Sequence, residues 1–355
     1  MIKYLRWLLF PFSLIYGLVV IMRNWFYDAG IFHSRKFNLP VIAVGNLDVG
    51  GAGKSPMTEY LIRLLKNEYQ LATLSRGYGR KTKGFIIASA TTTANETGDE
   101  PAQFYQKFPD ITVAVCEKRV AGIENLLPHH DVVILDDAYQ HRAVTPGLSI
   151  LLFDYNRLHQ PHLLLPAGNL REHFSGRYRA DVLVVTKCPR TLSKDEQQDA
   201  ISKLKPLNYQ PVFFTAIQYQ ALQDLEGNLT GPMPNADTTV FLLTGIANPQ
   251  PLLQYIKQYT SNVIHHNYAD HHQFSLKNIA KLATDFNNCK ALNKVIITTE
   301  KDAQRLQTPV LLPQIKAFPV WVLPIGIGFV SNDGQQFNQL IQHYVKQYTT
   351  HRSLD

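Results

Sequence analysis

Residues 45–56 read GNLDVGGAGKSP, a glycine-rich turn ending in Lys54 and Ser55, with an apolar run before it and a helical pattern after it. Glycines lack a Cβ, so backbone N–H groups can curl round phosphate oxygens, and the positive end of the following helix strengthens the attraction. In such a turn a lysine reaches the β- and γ-phosphates of a nucleoside triphosphate and a hydroxyl ligates Mg2+. The expected nucleotide-binding residues are therefore Asp48, Val49, Gly50, Gly51, Ala52, Gly53, Lys54 and Ser55, a P-loop. One position departs from the general G-x-x-x-x-G-K-[ST] pattern: Asp48 stands where the first glycine would be. Pro56 suits a first helical turn, and Met57, Tyr60, Leu61, Leu64 and Leu65 then fall on one apolar face. A glycine-rich turn that binds nothing would not need strand, GKS and helix in this register.

A bound triphosphate calls for a carboxylate at the end of a neighbouring strand. The stretch 131–142, DVVILDDAYQHR, supplies four apolar residues and then Asp136 and Asp137, the Walker B arrangement, in which one carboxylate holds Mg2+ directly or through water. Gln140 and His141 follow closely enough to face the same cleft. Arg76, Arg119, Arg142 and Arg171 each follow an expected strand or lie in a loop, where α/β sheets bind ligands. Their forks suit phosphate and sugar oxygens, with surface ion pairing as the plain alternative. Asp99 and Glu100, in TGDEP at 97–101, read locally as a solvated acidic loop. His265, His266, His271 and His272 cluster with Asp270, but adjacent histidines surround one ion poorly and no third ligand is legible. At 186–189, TKCP has Pro189 where a guanine-reading N/T-K-x-D loop has aspartate, which points to adenine.

These groups need a scaffold. Apolar runs at 41–44, 71–74, 111–115, 132–135, 149–153 and 182–186, separated by amphipathic stretches, describe parallel strands buried on both faces. The expected fold is α/β, a P-loop NTPase-like doubly wound sheet with a second, smaller α/β domain. That second series comprises a strand at 240–243, a helix from Pro249, and strands at 294–298 and 320–323. Between them, 212–219 and 221–225 read as a hairpin or ribbon, followed by the turn-rich GNLTGPMPNADT. The expected units are an N-terminal helical segment at 1–36, the P-loop domain at 37–210, a ribbon and linker at 211–237, and the smaller domain at 238–355.

The 355 residues carry a formal charge of +7, which favours anionic partners. No basic stretch interleaved with aromatics points to nucleic acid. Cys116, Cys188 and Cys289 form no CxxC pair, so no disulfide framework is expected. Residues 7–22 (WLLFPFSLIYGLVVIM) carry no charge and run into Arg23-Asn24-Trp25-Phe26-Tyr27. The run is short for a spanning helix and lacks a cleavage site, while its aromatic and arginine edge suits docking at a membrane interface.

In order and spacing, GNLDVGGAGKSP, LSRGYGR (74–80), TGDEP, DDAYQHR, LPAGNLRE (165–172), VVTKCP, ADHHQF (269–274) and TTEKDAQRL (298–306) resemble the tetraacyldisaccharide 4'-kinase (lipid A 4'-kinase) family. The resemblance spans about 10–325, and within that family Asp48 is no anomaly; Ala138 and Ser55 stand where glycine and threonine are the more usual residues. The resemblance implies ATP- and Mg2+-dependent phosphorylation of the 4'-hydroxyl of a tetraacylated glucosamine disaccharide 1-phosphate. It places the enzyme, expected as a monomer, on the cytoplasmic face of a bacterial inner membrane. It assigns Asp99 to the acceptor hydroxyl with His271 as its partner, joins Glu100 to Ser55, Asp136 and Asp137 at the metal, and turns Arg76, Arg119, Gln140, His141 and Arg171 toward substrate. The competing classes are a P-loop ATPase switch at the membrane, which needs neither TGDEP nor DHH, and a kinase of another lipid or sugar.

Overall fold

The structure is a computed structural model that describes residues 6–270, 272–330 and 332–352. A nine-stranded sheet forms the larger layer, ordered β13-β8-β7-β6-β1-β5-β2-β4-β3. Its strands are β1 (Val41–Asn46), β2 (Leu71–Ser75), β3 (Ile86–Ile87), β4 (Thr112–Val115), β5 (Val132–Asp136), β6 (Leu148–Asp154), β7 (Val182–Thr186), β8 (Val212–Tyr219) and β13 (Ile325–Phe329). The run from β8 to β4 is parallel; β3 and β13 add antiparallel edges. β1, β2, β5, β6 and β7 are buried along their whole length, as their unbroken apolar runs require. β1 sits between β5 and β6, with Val44 opposite Asp136. The carboxyl ends of β1 and β5 therefore open side by side, the position in which such sheets bind ligands.

A second, parallel sheet of four strands follows, ordered β10-β9-β11-β12: β9 (Thr238–Thr244), β10 (Val263–Asn267), β11 (Asn293–Thr298) and β12 (Val320–Val322). The stretch expected as one smaller domain, 238–355, does not stay together in space. β13 returns to pair with β8, and Phe337, Ile341 and Val345 of the helix Gly334–Arg352 enter the core of the larger sheet. β8, expected in a ribbon, is likewise a full member of that sheet, while Gln223 instead bridges to Leu229 and Val322.

At the amino end a short 3-10 turn leads into the helix Phe10–Asp28, longer than the uncharged run alone indicates. Ser13 and Gly17 are its buried residues; a Cβ on Gly17 would meet Leu164 at 2.7 Å. Phe12, Leu14, Ile15, Leu18 and Val19 face outward. Among the described residues no helix is long and apolar enough to cross a membrane.

Candidate active site

The glycine-rich turn is shaped by side chains that grip its carbonyls. Asn46 Nδ2 donates to the Asp48 carbonyl at 2.9 Å, and Arg157 Nη1 to that of Val49 at 2.7 Å. Lys187 donates to the Gly51 carbonyl, and Thr186 Oγ1 to that of Ala52 at 2.8 Å. With its carbonyls engaged, the loop keeps the first-turn amides of Lys54 and Ser55 as donors that the helix Lys54–Leu65 cannot satisfy itself. Gly50 and Gly53 have φ of 98° and 86°, conformations that favour glycine. Asp48, the departure from the general pattern, is a backbone bridge to Leu170, and burial raises its carboxyl against the opposing pull of Arg157. TKCP therefore serves the loop from behind: Lys187 also pairs with Asp154 at 2.8 Å.

Four acidic or hydroxyl side chains meet beside this turn. Asp136, at the buried end of β5, accepts from Thr58 Oγ1 at 3.1 Å. Asp137 follows with φ 47° and turns to Lys54, 3.6 Å away, and to Arg171, whose two terminal nitrogens reach its oxygens at 2.8 and 3.3 Å. Lys54 Nζ also donates to Asn46 Oδ1 at 3.2 Å. Glu100 comes from the helix Asp99–Lys107 and accepts on one oxygen from Ser55 Oγ at 2.7 Å and Lys301 Nζ at 2.9 Å.

The electrostatics separate these carboxylates. Burial, reinforced by the charges of Glu100 and Asp137, pushes Asp136 up to about 7. Burial would raise Glu100 too, but Lys301, the Ser55 hydroxyl and Lys54 bring it down to about 2. Asp137 is lowered because Lys54 and Arg171 outweigh its burial. A divalent cation fits this set. Ser55, Glu100, Asp136 and Asp137 are hard oxygen donors, and the crowding that keeps a proton on Asp136 is relieved by added positive charge. No group of three or more His, Cys, Asp or Glu among the described residues forms a ready cage, so a cation here would also need phosphate oxygens or water.

On the other side of Glu100, Asp99 Oδ2 receives Arg305 Nη2 at 3.1 Å and Nε at 3.2 Å. Arg305 is itself fixed by Asp302 Oδ1 at 3.1 Å and the Gly245 carbonyl at 2.9 Å. Both Lys301 and Arg305 lie on the helix Glu300–Leu306, so the smaller sheet's side of the molecule reaches Glu100 and Asp99 through them. TTEKDAQRL carries the signal, a lysine and an arginine four apart on one helix face, but not the partners they reach. His271 lies outside the described residues. Its neighbour His272 stacks on Tyr268 and contacts Asn278 at 3.1 Å, while His265 contacts Thr244 at 2.8 Å.

The remaining candidates divide. Arg119 is buried at the start of the helix Arg119–Leu126, holds the Cys116 and Glu117 carbonyls, and leaves Nε without a partner. Burial and then the nearby charge of Arg76 bring it down to about 10. Burial and the charges of Arg119, Arg23 and Arg76 likewise bring His141 down to about 4, so the ring is neutral near pH 7. The charges of Arg76 and Arg119 thus lie close to each other and to a neutral His141. Gln140 and Arg171 are committed inside the protein instead. The Gln140 amide donates to the Asn46 carbonyl at 2.9 Å and Glu172 at 3.0 Å, and Arg171 spans Asp137 and Asn46. Arg142 pairs with Asp28 at 2.6 Å.

A family model described as tetraacyldisaccharide-1-P 4'-kinase matches residues 5–346. A tetraacyldisaccharide 4'-kinase of Bacteroides thetaiotaomicron is 43% identical, covering 99% of this chain and 96% of its own. One of Flavobacterium johnsoniae is 45% identical, covering 97% and 98%. Among solved structures, LpxK from Aquifex aeolicus, described as an "apo" form in complex with ATP, superposes with a TM-score of 0.75 at 28% identity, over 96% of this chain and 99% of that one. With the match running nearly end to end and the P-loop, the paired aspartates and TGDEP gathered in one cleft, the chain belongs to the tetraacyldisaccharide 4'-kinase family.

Proposed function

We propose that this ATP-dependent lipid A 4'-kinase binds its triphosphate on Asp48–Ser55 with Lys54 at the β- and γ-phosphates, and uses Asp99 as the base toward the 4'-hydroxyl. Ser55, Glu100, Asp136 and Asp137 would hold Mg2+, which when bound neutralises charge on the phosphates. The observation that carries this reading is the adjacency of Asp99 to Glu100 at the start of one helix: Glu100 touches the P-loop serine, and the carboxylate just before it is held by Arg305. In the transfer, the acceptor oxygen forms its bond to the γ-phosphorus, the bridging P–O bond breaks, and the hydroxyl proton passes to Asp99. His271 is the proposed partner of Asp99, and Arg305 fixes that carboxylate from behind. Arg76, Arg119 and neutral His141 would receive the anionic headgroup of the disaccharide 1-phosphate.

The helix Phe10–Asp28 would dock on the cytoplasmic face of the inner membrane through its outward Phe12, Leu14, Leu18 and Trp25, which delivers the acylated acceptor to the cleft. The test is to supply purified protein with ATP, Mg2+ and tetraacyldisaccharide 1-phosphate in mixed micelles. Phosphate should appear on the 4'-oxygen, and Asp99→Ala should lose roughly 10²–10⁴ in kcat with nucleotide binding retained. ATP hydrolysis of equal rate with and without lipid would instead identify a switch ATPase.

A further inference from the structure

Glu100 Oε1, assigned to the metal above, already takes two donors from the protein, the Ser55 hydroxyl at 2.7 Å and the Lys301 ammonium at 2.9 Å. A divalent cation and an ammonium bound to one carboxylate oxygen would stand within a few ångström of each other and repel, so the two must trade places. Around the cleft Asp99 pairs with Arg305, Glu100 with Lys301, and Asp137 with both Lys54 and Arg171, while Asp136 accepts from Thr58. The arginines are fixed, Arg171 by Asn46 and Arg305 by Asp302 and Gly245. The lysines are single ammoniums on flexible stems, and Lys301 keeps 37% of its side chain exposed against 2% for Arg305.

We propose that Lys301 holds the metal's place on Glu100 and yields that oxygen only when the metal arrives with nucleotide, its ammonium then pairing with triphosphate oxygens. The inference rests on the assignment of Glu100 and Ser55 to the metal. The exchange conserves charge. Carboxylate–ammonium pairs become carboxylate–metal and ammonium–phosphate pairs, so metal without phosphate would strand Lys301 beside a cation. Lys301 is supplied from the helix Glu300–Leu306, so metal loading is linked to the placement of the smaller sheet's side of the molecule.

The test is a Mn2+ titration of the full-length protein in detergent, read from loss of the free-ion resonance signal, with and without the non-hydrolysable analogue AMP-PNP. Without nucleotide, Lys301→Met should bind Mn2+ at least about tenfold more tightly than the unchanged protein, a coupling of ordinary size. Lys301→Arg, which keeps the charge, should stay weak. AMP-PNP should raise the Mn2+ affinity of the unchanged protein far more than that of Lys301→Met. Equal affinities of Lys301→Met and the unchanged protein without nucleotide, with nucleotide-dependent binding intact in both, would overturn the role of Lys301 and leave the kinase reading standing. Absence of Mn2+ uptake by either protein even with AMP-PNP would instead remove the metal assignment of Glu100, and this inference with it. Thermal melting of both variants shows whether they are folded.

Discussion

At the scale of single residues, the site is a set of charges whose environments pull them apart. Asp136 is the clearest case, because burial and two like-charged neighbours keep its proton on to about pH 7. Its folded value is raised above its unfolded one, so the native protein binds the extra proton between about pH 4 and 7, and stability falls as pH rises through that window. Asp136→Asn removes the buried charge and retains a group that can accept from Thr58. Without metal or nucleotide, this variant should melt above the unchanged protein at pH 8, by roughly 2–4 °C for each kcal/mol relieved. The gap should close toward pH 5. A gap that does not change with pH would show that Asp136 does not titrate in this range. Arg305 poses a different question, since it meets Asp99 from a rigid mount. Arg305→Lys cannot make the same two contacts and should lower kcat by about tenfold or more while leaving KM for ATP within about twofold. A rise in KM for ATP with kcat unchanged would place Arg305 at the nucleotide instead.

At the scale of elements, what was legible in the sequence and what was not follow from how far each signal reaches. The P-loop, β1 and β5 announce themselves because turn chemistry and buried apolar runs are local. Lys301 and Arg305 did not, because their meaning lies in contacts made across some 200 residues of chain. Gln140 and Arg171 read as ligand-binding groups for the same reason: the contacts of Gln140 to Asn46 and Glu172, and of Arg171 to Asn46, are made across distant stretches of chain. The amino-terminal helix shows a further gap. An apolar run reads as an anchor, yet its inner side holds the loops of Arg171 and Gln140, with Tyr16 OH donating to the Arg171 carbonyl at 2.7 Å and Arg23 to that of Gln140 at 2.6 Å. Deleting the helix would therefore remove the proposed docking face and disturb the site together. Two milder changes separate them. Leu14→Ser with Leu18→Ser, on the outward side, should lower recovery with membranes and raise KM for the lipid while ATP binding holds. Tyr16→Phe with Arg23→Ala should lower kcat with membrane recovery unchanged. Identical profiles for the two pairs would show that the helix has a single role.

At the scale of the whole molecule, the two sheets are joined by a column of charge that begins at the site and continues behind it. Glu100 meets Lys301, Asp99 meets Arg305, and one helical turn or more further along Lys107 pairs with both Glu300 and Glu59. Glu59 is the informative member. It sits in the P-loop helix with 2% of its side chain exposed, holds Lys107 Nζ at 2.5 Å, and accepts from Gln103 Nε2 at 2.9 Å. Burial raises it, and the Lys107 charge opposes that rise. Breaking one side of a buried pair strands the other charge and typically costs about 3–5 kcal/mol, whereas replacing both partners by neutral groups of similar shape is often close to neutral. Lys107→Met should therefore melt below the unchanged protein, because Glu300 loses its cation and Glu59 keeps the longer 3.4 Å pair with Arg63 in place of the 2.5 Å one, and it should also loosen the smaller sheet's side against the P-loop helix. Adding Glu59→Gln should restore part of the loss, since Gln103 can still donate to the amide oxygen and the more buried of the two weakened carboxylates is gone. Melting temperatures of the two singles and the double, each measured with and without ATP, close the cycle. Strictly additive losses would show that Lys107 and Glu59 do not act as a pair, and that Lys107 acts through Glu300.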